Sequence, residues 1–134
     1  PSFTGSEEDC ARVMAGELEQ LGLQVQWQQV EDGRANVVGT WPGEGGGPTL
    51  MFNGHLDTSY SGEEPWLRDI PGFRPEGFER DGRIYGLGIS NMKGALAAYV
   101  EAVRSLIEDG VRLRGDVIVA AVCGEIEKTQ AGDA

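Results

Sequence analysis

Basic residues are scarce in this chain: 11 Lys and Arg stand against 22 Asp and Glu, for a net charge of −11. A surface of that sign repels phosphate, which argues against nucleic acid and anionic membranes as partners. Long apolar runs are missing as well. None approaches the roughly 20 residues that cross a bilayer as a helix. Nothing in the opening residues reads as a secretory signal. Cysteine is limited to Cys10 and Cys123, which form neither a C-x-x-C nor a zinc-finger spacing. Reduced thiols in a cytoplasmic protein are therefore the expectation. Histidine is rarest: His55 stands alone, and any imidazole chemistry here rests on it.

What is present suits one domain or less. With 40% hydrophobic residues in 134, the chain can bury a core. Apolar Ala11, Met14, Leu18 and Leu21 recur at helical spacing and predict a helix over 7–21, with Thr4 or Ser6 as N-cap and Gly22 as its end. Alternation predicts strands over 24–30 and 35–41, joined by a turn at Asp32-Gly33. The glycine-rich stretch 42–48 is a connection and not a phosphate loop, since no Gly-Lys-Ser/Thr follows it. A short buried strand, 48–52, leads to His55. The irregular segment 59–75 carries Trp66 and Phe73, which read either as surface packing or as the mouth of a site. A helix is predicted over 91–108, capped by Ser90, and a central strand over 117–123. The expected fold class is α/β, with helices packed on a mixed, mostly parallel central sheet. Ligands of such sheets bind beyond the carboxyl ends of strands.

The segment Asn53-Gly54-His55-Leu56-Asp57-Thr58 follows a predicted strand. Side chains alternate along a strand, so His55 and Asp57 share a face. A carboxylate behind an imidazole fixes its tautomer and raises its basicity as a metal ligand. Taken alone, H-x-D is equally a half-buried histidine and a turn-capping aspartate. Two further blocks change that weighting. They are Gly82-Arg83-Ile84-Tyr85-Gly86-Leu87-Gly88-Ile89-Ser90-Asn91-Met92-Lys93-Gly94 and Gly124-Glu125-Ile126-Glu127.

In that order, and with the opening Pro1-Ser2-Phe3-Thr4-Gly5-Ser6-Glu7, these blocks resemble the M20 metallopeptidase and amidohydrolase family. That family includes acetylornithine deacetylase, succinyl-diaminopimelate desuccinylase, aminoacylase and glutamate carboxypeptidase-type enzymes. The resemblance spans nearly the whole chain. It implies the N-terminal portion of a zinc-peptidase-like catalytic domain over 1–134, with a lid and dimerisation domain and a C-terminal part absent from it. By the same resemblance His55 is a metal ligand, Asp57 orients it, Asn91 takes the place of a bridging aspartate and Glu125 is the general base. Ile126 falls where a metal-binding glutamate is expected. A shift of register would let Glu125 or Glu127 bind the metal instead, while Glu127 beside Lys128 is equally a solvated ion pair. Asn91 reads locally as a helix-start residue.

The resemblance implies hydrolysis of an amide C–N bond in N-acyl amino acids or small peptides. It implies a divalent metal, zinc first with manganese or cobalt as alternatives, as one ion or two. A small-molecule substrate, a homo-oligomeric full-length protein and a complementary C-terminal chain are the expected partners. The 134 residues alone are expected to be inactive. Two other readings stay open. One is a single-metal hydrolase of another C–N bond, such as a deaminating aminohydrolase. The other is a non-catalytic homologue that binds a small ligand or partner, which the neutral Asn91 and apolar Ile126 favour.

Overall fold

The computed structural model describes residues 1–126; Glu127, a predicted ligand, lies outside them. Helix α1 (Glu8–Gln20) leads into strands β1 (Gln24–Glu31), β2 (Arg34–Trp41) and β3 (Leu50–His55). A single 3-10 turn (Pro71–Phe73) and a small hairpin, β4 (Phe78–Arg80) with β5 (Arg83–Tyr85), follow. Helix α2 (Gly94–Glu108) and strand β6 (Val117–Val122) complete the order. The main sheet runs β1-β2-β6-β3. It is mixed: β2 is antiparallel to both β1 and β6, and β3 is parallel to β6. The parallel part is thus the pair that carries the blocks at His55 and Gly124.

Both helices cover one face of the sheet. Ala11, Met14 and Leu18 of α1 and Leu96, Val100 and Val103 of α2 are buried against Ala35, Val37, Val117, Val119 and Ala121. Phe52 of β3 stacks on Tyr99 of α2 at 4.8 Å between ring centroids. A fully buried leucine such as Leu18 contributes roughly 1.5–3 kcal/mol by leaving water. Arg104 of α2 reaches Glu17 of α1 at 3.1 Å and ties the helices together at their outer edge. β3 lies at the margin of the sheet, where Leu50 and Met51 are 53% and 55% exposed. Cys10 and Cys123 are free thiols, and burial pushes that of Cys123 up. Among the described residues no helix is long and apolar enough to cross a membrane.

Two local expectations are corrected, and one element is additional. Neither Thr4 nor Ser6 caps α1: Glu7 holds the cap position without a side-chain cap bond, because the Thr4 hydroxyl is taken by Asp57. The β4–β5 hairpin was not expected, although Asp81 and Gly82 at its turn both have positive φ (53° and 68°), as a tight hairpin turn requires. The second helix begins at Gly94 and not at Asn91. Residues 89–93 form a wide turn in which Asn91 (φ −142°, ψ 92°) and Met92 are not helical.

Candidate metal centre

The parallel pair sets the site. His55 ends β3 level with Val122, the end of β6, and the Leu56 N–H donates to the Val122 carbonyl at 2.7 Å. Gly54 lets the start of α2 come close: a Cβ there would stand 2.8 Å from both Leu96 Cδ2 and Met92 Cε. Met92 in turn accepts the His55 N–H on its sulfur at 3.3 Å. Beyond β3 the chain is pinned by the N-terminal segment. The Thr58 N–H donates to the Ser2 carbonyl, the Thr4 N–H to the Thr58 carbonyl, and the Ser2 hydroxyl to the Leu56 carbonyl.

His55 is 4% exposed and Asp57 1%. The Nδ1 of His55 faces the Asp57 carbonyl at 3.0 Å and Asp57 Oδ1 at 3.3 Å. Both are acceptors, so the tautomer with its hydrogen on Nδ1 satisfies that side. In that tautomer Nε2 presents a lone pair. It points to Asn91 Oδ1 at 3.0 Å and lies 3.6 Å from Glu125 Oε2. In that tautomer three electron-pair donors converge, Nε2, Asn91 Oδ1 and Glu125 Oε2, a set that suits a cation.

Asp57 is held by donors on both oxygens. Oδ2 accepts from the Thr4 hydroxyl and the Ile126 N–H, each at 3.0 Å, and Oδ1 from the Glu125 N–H at 3.3 Å. Its carboxylate thus orients His55 and also fixes the turn that carries Glu125. Gly124, with φ +73°, gives that turn its direction. The sequence placed His55, Asp57, Asn91 and Glu125 at one site, and the structure brings these four together. It shows Asn91 in an extended conformation before α2, so the helix-start reading of Asn91 fails. Ser2, Thr4 and Met92, which steady the site, carry no signal in spacing or periodicity.

Among the described residues no group of three or more His, Cys, Asp or Glu is assembled for a metal. Ile126 lines a mixed polar and apolar cavity of about 150 Å³ with Thr58, Tyr60, Phe73, Leu87 and Asn91. A second cavity of about 210 Å³ is lined by Asn53, Gly54, His55, Met92, Val122 and Glu125. A groove of about 410 Å³ lies between α1 and α2 and holds none of the converging donors. Of the two loop aromatics, Phe73 borders the site, whereas Trp66 is 67% exposed.

The sequence model of peptidase family M20/M25/M40 matches residues 51–132. The chain belongs to this family. It is 37% identical over 122 residues to N-formyl-4-amino-5-aminomethyl-2-methylpyrimidine deformylase of Bacillus subtilis, covering 89% of the chain and 28% of that enzyme. It is also 37% identical over 109 residues to succinyl-diaminopimelate desuccinylase of Bordetella avium, covering 80% of the chain and 27% of that protein. The aminopeptidase PepT of Bacillus cereus superposes with a TM-score of 0.75 at 25% identity, over 99% of the chain and 35% of PepT. This M20 chain therefore spans little more than a quarter of the curated relatives it matches.

The loop beside the M20 site has its own anchor. Glu64 accepts from the Ser61 N–H and hydroxyl and from the Gly62 N–H at 2.9–3.0 Å. These bonds, the Ser61 N–H first, hold its carboxyl below the ordinary range. A depressed carboxyl stabilises the loop above its unfolded pKa and releases it as pH falls through the folded value. NMR titration is expected to show the Ser61 and Gly62 amide signals constant from neutral pH down to the ordinary carboxylate range. They should shift together only below it. A shift already complete near the unperturbed glutamate value would contradict this.

Proposed function

We propose that the protein to which this chain belongs is a metal-dependent hydrolase of amide C–N bonds in N-acyl amino acids or small peptides. The observation that carries the proposal is the convergence of His55 Nε2, Asn91 Oδ1 and Glu125 Oε2 beyond the ends of two parallel strands. Two curated relatives are named for removing formyl and succinyl groups, which supports the acyl–nitrogen bond as target. His55 and Asn91 would hold the cation, zinc by preference over manganese or cobalt. Glu127, outside the described residues, is the proposed third donor. A bound divalent cation supplies Lewis acidity to an amide carbonyl and acidifies water at the site. Glu125 Oε2 would take a proton from the attacking water and return it to the leaving nitrogen. Asp57 keeps the proton on His55 Nδ1 and leaves Nε2 free to bind.

A single weakened metal site would support a second reading, a single-metal hydrolase of another C–N bond such as that of an aminohydrolase, while the neutral Asn91 and apolar Ile126 favour a non-catalytic binding homologue. The test is the full-length protein with Zn²⁺, Mn²⁺ or Co²⁺ and a panel of N-acyl amino acids, dipeptides and amino-substituted heterocycles. Turnover of the first two, abolished by a chelator, supports the proposal; release of ammonia from the heterocycles supports the second reading. Tight metal binding without turnover, or neither, would sink both and leave a binding homologue.

Asn91 offers a separate check. Asn91→Asp restores an anion 3.0 Å from Nε2. Close opposite charges attract strongly where water is scarce, and each ~1.4 kcal/mol gained is about tenfold in affinity. Calorimetric titration with Zn²⁺ is expected to show at least about tenfold tighter binding or a second equivalent bound. Unchanged affinity and stoichiometry would remove Asn91 from the ligand set.

A further inference from the structure

The turn after β6 carries Glu125, yet its amides are held by side chains. The Cys123 N–H donates to Asn36 Oδ1 at 3.0 Å and the Gly124 N–H to Glu7 Oε1 at 3.2 Å. The next two N–H groups, of Glu125 and Ile126, go to Asp57. Four successive amides are thus clamped by three side chains from separate parts of the chain. Asp57 also serves His55, whereas Glu7 has no contact with the converging donors.

Glu7 is fully buried and Arg34 is 3% exposed. The guanidinium grips the carboxylate twice, Nε on Oε2 and Nη2 on Oε1, both at 3.1 Å. Its second oxygen also accepts the Gly5 N–H at 3.0 Å, and Arg34 is braced by Glu31 at 3.1 Å. The hydrogen bonds and charge of Glu7 raise the Arg34 guanidinium above its ordinary pKa. Burying two charges is costly, and an apolar pair of similar volume commonly packs as well or better. What an apolar pair does not provide is an oxygen aimed at the Gly124 N–H.

We infer that Glu7 is a positioning residue for Glu125: clamped by Arg34, it fixes Gly124 and so aims the carboxylate that follows. This rests on the role proposed above for Glu125. The side chain of Glu125 is 61% exposed, so the backbone, not packing, sets where Oε2 lies relative to His55. Displacement of a reacting group by about 1 Å costs on the order of 100-fold in rate.

The test uses two double variants of the full-length, metal-loaded protein. Both remove the ion pair without stranding a buried charge, since Glu31, which also loses Arg34, is half exposed. Glu7→Gln with Arg34→Met keeps an oxygen for Gly124, and Glu7→Leu with Arg34→Met does not. The first is expected to keep kcat within about threefold of wild type. The second should lose about 10–100-fold in kcat, with KM and metal content unchanged and faster hydrogen exchange at the Gly124 amide. Equal kcat in the two, or a loss confined to KM or metal content, would overturn the inference. Exchange in the unsubstituted protein needs no variant to fold: a Gly124 amide as labile as an open loop overturns the clamp outright. Glu125→Gln, run alongside, keeps the two readings apart. If it leaves kcat intact, the assignment of the base falls, and Gly124 exchange still decides whether Glu7 holds the turn.

Discussion

Glu125→Gln in the full-length, metal-loaded protein is expected to lower kcat about 10²–10⁴-fold while leaving metal content close to wild type. The amide has the shape of the carboxylate and little basicity. The position of Glu125 makes this a test of proton transfer. Its Oε2 is 3.6 Å from His55 Nε2, beyond the 3.0 Å of Asn91 Oδ1. Its side chain is 61% exposed, so the carboxylate is open to solvent. The N–H of Glu125 stays bonded to Asp57 in the variant, so the backbone is undisturbed. Steady-state kinetics and elemental analysis on the same preparation give the answer. If metal is lost together with activity, Glu125 is a ligand and the base lies elsewhere.

Asp57→Asn is expected to act on binding and folding at once. Each oxygen of Asp57 faces two donors: Thr4 and Ile126 on Oδ2, Glu125 and His55 on Oδ1. Whichever way an amide is turned, its NH₂ meets two of them. The site is buried, so an unmet donor costs roughly 1–3 kcal/mol. His55 also loses the anion that favours a proton on Nδ1, and loss of such a partner typically weakens metal affinity about 10–100-fold. Zinc titration and denaturant unfolding should therefore both move. Thr4→Val, which removes a single hydroxyl donor and leaves the charge, should lower stability with little change in affinity. Wild-type zinc affinity in Asp57→Asn would show that the carboxylate does not act through His55.

The parts of this architecture that repeat were legible in the residues. Ala11, Met14 and Leu18 at helical spacing gave α1, and the continuous run before Cys123 gave β6. The stretch that ends at His55 placed the imidazole at a strand end. The resemblance of three blocks placed Asp57, Asn91 and Glu125 with it. Asn91 was misjudged locally because Ser90-Asn91 before an alanine-rich run has the chemistry of a helix cap. The backbone there is instead extended, with its Oδ1 turned to His55. The Glu7–Arg34 pair was invisible for a different reason. Its partners lie 27 residues apart, and nothing in a single sequence distinguishes a buried charge from a solvated one. Thr4 was read as a cap for the same reason that it serves Asp57: a hydroxyl beside a helix start has two possible acceptors, and only the fold selects one.

The placement of β3 has a practical bearing on work with the 134 residues by themselves. A marginal strand offers backbone N–H and C=O groups to any extended chain that arrives, and Leu50 and Met51 give such a visitor apolar side chains to pack on. Neither proline nor lysine interrupts residues 50–55, the usual guards of such a margin. Concentrated samples of the short chain are therefore expected to self-associate through strand addition at this side. Since His55 ends the same strand, the metal titrations belong at low protein concentration, with association monitored by light scattering.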